Sequence, residues 1–102
     1  MSGVEQLLER YATGVRFPKA SGFEVLELLD VRSRLATREA EMDAAQRQRL
    51  EDADAAFLGQ APTLYESVAA LGDLGDMRQR AAVPPSHWWW YLEKLGQREV
   101  VR

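Results

Sequence analysis

Between Phe23 and Ala36 the apolar side chains recur at helical spacing. Advanced by about 100° per residue, Val25, Leu26, Leu28, Leu29, Leu35 and Ala36 gather on one broad face, with Glu24, Glu27, Asp30, Arg34 and Arg38 opposite. The stretch opens on Ser21 and Glu24, spaced so that each side chain reaches the other's backbone N–H in a capping box. No glycine or proline follows until Gly59, and Asp43 with Gln46 forms a second box of this kind, so the helix is predicted over 22–41. Arg32 falls inside its apolar arc and requires either a carboxylate partner or a rim position where only its stem is covered.

The flanking segments read as helices of the same kind. Ser2 and Glu5 form a capping box ahead of the stripe Val4, Leu7, Leu8 and Tyr11. Gly14 suits the left-handed residue after a helix end, which predicts a first helix over 3–13. The "VRFPKA" segment is a solvated connector, because Pro18 biases Phe17 away from helical geometry. A third helix, 44–59, buries Leu50, Ala53 and Phe57. Its "EDAD" run at 51–54 reads as a solvated face, lacking the glycine and terminal glutamate of a calcium loop. Pro62 suits the first turn of a fourth helix, predicted over 62–82 through Leu64, Val68, Leu71, Leu74 and Ala82. Gly72 and Gly75 inside it mark a close approach or a kink. Pro84 and Pro85 end it, and Ser86 is placed to cap a fifth helix over 86–95. The recurrence of Ser-Gly-x-Glu at the first two helix starts reflects two uses of one capping solution, since the similarity dies within a turn.

The expected fold is therefore all-α, a small bundle of about five helices in a single domain spanning 1–102. The second helix is central, and the fifth closes over it through Trp88, Leu92 and Leu95. A chain of 102 residues buries roughly 60–70% of its unfolded surface on folding, enough for one core.

Composition narrows the chemistry. Sixteen acidic residues against thirteen basic ones give a formal charge of −3, so no overall field draws the molecule to nucleic acid or anionic lipid. With no cysteine and one histidine, disulfides, thiolate nucleophiles and imidazole-rich zinc sites are excluded. No apolar window reaches the about 18 residues needed to cross a bilayer, and the start of the chain does not resemble a signal peptide, so a cytoplasmic protein is expected. Nothing in the residue pattern calls for a cofactor, a metal or catalysis. His87, ahead of a helix N-terminus, is expected to stay neutral.

The stretch "PPSHWWWYLEKLG" carries the functional reading. On a helix over 86–95, Trp88, Tyr91, Leu92 and Leu95 share about 100° of arc, whereas Trp89 lies about 100° and Trp90 about 200° round from Trp88, the latter beside Glu93 and Lys94. One stripe cannot hold all three indoles, so Trp89 or Trp90 is expected to face outward. Trp89, Trp90, His87 and Lys94 then form a partner-binding surface. Tryptophan is strongly enriched where binding energy concentrates. The expected function is a small non-catalytic protein–protein interaction protein, acting as an accessory, adaptor or inhibitory subunit, with self-association as a homodimer included. The alternative is a nucleic-acid-associated regulator or antitoxin-like protein using Arg78, Arg80 and the aromatic cluster, although two arginines neutralise few phosphates.

Overall fold

The computed structural model describes residues 3–16 and 21–95. Five α-helices follow one another: α1 (Gly3–Arg16), α2 (Gly22–Ala36), α3 (Ala44–Gly59), α4 (Ala61–Ala69) and α5 (Leu74–Arg80). Tight 3-10 turns lie at Glu39–Glu41 and Trp88–Trp90, and a last helical turn covers 92–95. The fold is an all-α bundle with α2 at its centre, packed against α1, α4 and the tryptophan turn, while α3 closes on α1 and α4.

Local chemistry sets the helix starts. Ser21 Oγ accepts the Glu24 N–H at 3.2 Å and Glu24 Oε1 accepts the Ser21 N–H at 2.9 Å. Asp43 and Gln46 make the same reciprocal pair ahead of α3, at 2.8 and 3.0 Å. Both capping boxes stand where the spacing placed them, and α3 has the expected bounds. The box involving Ser2 lies outside the described residues, as does most of the "VRFPKA" connector.

Three helix ends differ from expectation. Helix α1 runs through Gly14 to Arg16, because Gly14 serves packing rather than termination: a Cβ there would stand 2.5 Å from Leu28 Cδ1. Helix α2 stops at Ala36 rather than 41, without help from glycine or proline. The Thr37 hydroxyl turns back to donate to the Arg34 carbonyl at 2.7 Å, occupying an acceptor left open at the helix end. A 3-10 turn then lets extended Met42 enter the core. The predicted helix over 62–82 is two helices. Asp73 starts α5 afresh, its Oδ1 accepting the N–H groups of Gly75 and Asp76.

The largest departure is at 86–95, where no continuous helix forms. The chain makes the three-residue turn Trp88–Trp90, breaks at Tyr91 (φ −111°, ψ 48°) and resumes at 92–95. No side chain caps this turn, so Ser86 does not have the capping role its position suggested.

Candidate functional site

A largely buried polar cluster lies where α1, α2, α3 and the tryptophan turn meet. Arg32 enters it from the buried face of α2 and is only 4% exposed. Its Nε and Nη2 donate to the two carboxylate oxygens of Asp54 on α3, at 2.9 and 3.0 Å, the paired geometry in which guanidinium and carboxylate bind most strongly. Tyr11 of α1 donates its hydroxyl to Asp54 Oδ1 at 2.6 Å. Arg32 thus takes the carboxylate-partner alternative, and the supposedly solvated 51–54 run supplies that partner.

Aromatic rings enclose the guanidinium. Its carbon lies 4.2 Å from the ring centre of Trp89, 5.8 Å from that of Trp88 and 5.9 Å from that of Tyr11. These are cation–π distances, and desolvation strengthens such contacts. Nη1 has no hydrogen-bond partner; the nearest compensation is Glu39, whose Oε2 lies 3.8 Å away. Burial, then the neighbouring Asp54 charge, pushes the Tyr11 phenol far above its ordinary range. Tyr11 therefore remains a donor at neutral pH and is not available as a base.

The tryptophan turn roofs this cluster through one hydroxyl. The indole N–H groups of Trp89 and Trp90 both donate to Ser33 Oγ at 3.0 Å, and His87 Nδ1 lies 3.1 Å from the same oxygen. His87 stacks on Trp89 with centres 4.6 Å apart, and Trp88 meets Phe57 edge-on at 5.7 Å. Burial, then the Arg32 charge, lowers the affinity of His87 for a proton. Its neutral form is favoured as expected, but the cause is not a helix terminus.

This overturns the proposed outward indole. Trp89 is 2% exposed and Trp90 7%, whereas Trp88, assigned to the core stripe, is only half-buried. The 100° projection presupposed an α-helix with a solvent side. A single 3-10 turn laid across α2 has none for these two rings, because both N–H groups are drawn to Ser33. Of the four residues expected to meet a partner, Trp89, Trp90 and His87 are brought together, facing inward. Lys94 is exposed and sits apart from them, its Nζ 5.4 Å from the Tyr91 ring.

The arginines of the nucleic-acid alternative are also engaged. Arg78 donates to the Trp90 carbonyl at 2.8 Å, pairs with Glu93 at 3.1 Å and lies 4.0 Å over Tyr91. Arg80 is exposed and pairs with Asp76. A surface depression of about 700 Å3 lies between α5 and Tyr91; its charged lining is engaged, Asp73 in capping, Asp76 with Arg80 and Arg78 in the pair just described. Among the described residues no group of three potential metal ligands forms, and no helix is long and apolar enough to cross a membrane.

Sequence reasoning missed Ser33 and Asp54. Both carried a signal: Asp54 is polar yet stands one turn from a buried residue on either side, Leu50 and Phe57, and Ser33 is polar yet stands one turn after the buried Leu29. Comparison with protein-family models, curated proteins and solved structures returned no match to this chain.

Proposed function

We propose that this chain is a small non-catalytic protein that works by binding another protein, as an accessory, adaptor or inhibitory subunit, with a second copy of itself among the candidate partners. One observation supports the reading above others. Phe23, on the first turn of α2, is 71% exposed, and the capping box of Ser21 and Glu24 closes that turn around it. Leu71, also exposed, lies against Gly22, so two large apolar side chains flank one helix crossing. An aromatic presented on a rigid element contributes contact area at small entropic cost. The working surface is then the α2–α4 crossing and not the tryptophan turn. A cytoplasmic setting is part of this proposal, and a chain without cysteine is compatible with it.

The nucleic-acid reading has less support, since Arg78 is occupied and Arg80 already has a partner. The two separate by experiment. Phe23→Ser should leave the unfolding free energy within about 0.5 kcal/mol of wild type, as exposed positions do, yet abolish self-association in sedimentation or recovery of a captured protein partner. The exposed control Leu58→Ser should retain both. Unchanged association with Phe23→Ser, or binding to DNA that weakens steeply as salt rises, would reject the proposal.

A further inference from the structure

Ser33 Oγ has three polar neighbours, and a hydroxyl has two lone pairs and one hydrogen. Indole N–H groups only donate, so Trp89 and Trp90 occupy both lone pairs. The remaining contact, to His87 Nδ1 at 3.1 Å, must then use the serine's own hydrogen. Nδ1 therefore carries no proton, and the imidazole is the neutral tautomer with its hydrogen on Nε2. A protonated imidazole bears hydrogen on both nitrogens. Its Nδ1–H would face an oxygen whose lone pairs are filled and whose hydrogen points back at it. One of the three contacts has to break.

We propose that His87 is an acid-sensitive latch: protonating its imidazole releases the Trp88–Trp90 turn from Ser33 on α2 and brings the buried indoles to solvent.

The charged groups around the ring favour release. Arg32 of α2 packs on Trp89, the ring against which the imidazole stacks, and opposes a second positive charge there. Asp54 of α3, the carboxylate nearest Arg32, is held by that arginine and by Tyr11. Glu39, on the turn after α2, faces Arg32 Nη1, and Glu93 is bound to Arg78. None of these carboxylates pairs with the imidazole. The turn's other polar tie, from Arg78 to the Trp90 carbonyl, runs to α5 and not to α2, so the segment stays tethered on one side while the other opens. Burial adds to the preference for the neutral ring.

The chain's three tryptophans all lie in this turn and its histidine is unique, so both signals report on the latch without labelling. Tryptophan emission, acrylamide quenching and far-ultraviolet circular dichroism would be followed on the full chain from pH 8 to 5. The expected result is a red shift and increased quenching with a midpoint below the ordinary histidine value of about 6.5, the helical signal being retained. His87→Gln, whose amide oxygen accepts the Ser33 hydrogen but does not titrate, should match wild type at pH 8 and lack the transition. Indoles shielded down to pH 5, loss of helix at the same midpoint, or the same transition in His87→Gln would each overturn the latch. Should His87→Gln not fold, nitrogen chemical shifts of the wild-type imidazole at pH 8 decide: hydrogen on Nε2 supports the latch, and hydrogen on Nδ1 overturns it.

Discussion

At the scale of single residues, burial with a shared partner decides what each polar group is worth. Ser33 is a small side chain, yet removing its oxygen strands two indole N–H groups at once. Ser33→Ala should cost about 1–3 kcal/mol for each buried donor left unpaired, measurable by urea unfolding. Asp54→Ala should be at least as severe, about 3–5 kcal/mol, since it leaves the Arg32 guanidinium buried without its counter-charge. Replacing that guanidinium by an apolar side chain, as in Arg32→Met made together with Asp54→Ala, should recover much of the loss. Trp90→Ala belongs with these: a core position 7% exposed should lose about 3–5 kcal/mol. A surface indole would have lost almost nothing.

Among the elements, the close approaches and the irregular ends carry the testable consequences. A Cβ at Gly22 would stand 2.5 Å from the Ser67 carbonyl oxygen of α4, a backbone atom that cannot step aside. Gly22→Ala should therefore force α2 from α4 and destabilise by about 1–3 kcal/mol, as overpacking does. The opposite sign is expected at Ala82. Its N–H bonds the Gln79 carbonyl while Val83 N–H bonds that of Arg78, the two-bond Schellman ending of a helix. Ala82 holds the left-handed position at φ 53°, where a Cβ is strained. Ala82→Gly should raise the melting temperature, with a gain of about 1 kcal/mol. Neither position was legible as such: Gly22 read as part of a cap signal, and Ala82 read as a helical residue because alanine has no turn signature.

Over the whole molecule, stability near neutrality should follow one side chain. Histidine is the residue that ordinarily titrates between about pH 5 and 8, and this chain has one. The fold lowers its proton affinity, so between its folded and unfolded values the unfolded chain binds more protons and stability rises with pH. The contribution is fully present above the unfolded value of about 6.5 and is lost as pH falls through the folded value. Unfolding free energy measured in urea at a series of pH values should climb towards about pH 6.5 and level off, by no more than about 1.4 kcal/mol per pH unit for one proton. His87→Gln should flatten that slope. Further acidification reaches Glu5, whose carboxylate is held below its ordinary value by bonds from Gln46 and Arg49, and stability again declines with falling pH.

What the sequence determined by itself is what depends on neighbours within a turn or two. The helical character, the apolar faces of α1 to α3, the caps at Ser21 and Asp43, both ends of α3 and the alternatives open to Arg32, a carboxylate partner or a rim position, all follow from such spacings. Only the tertiary structure decided which partner. Asp54 is 22 residues from Arg32, and Ser33 is 56 and 57 residues from the indoles that it binds. No local preference singles out one carboxylate or one hydroxyl at that distance. The tryptophans turned inward because two buried N–H donors require an acceptor, and the acceptor lay on α2, across a crossing that exists only once the bundle has closed.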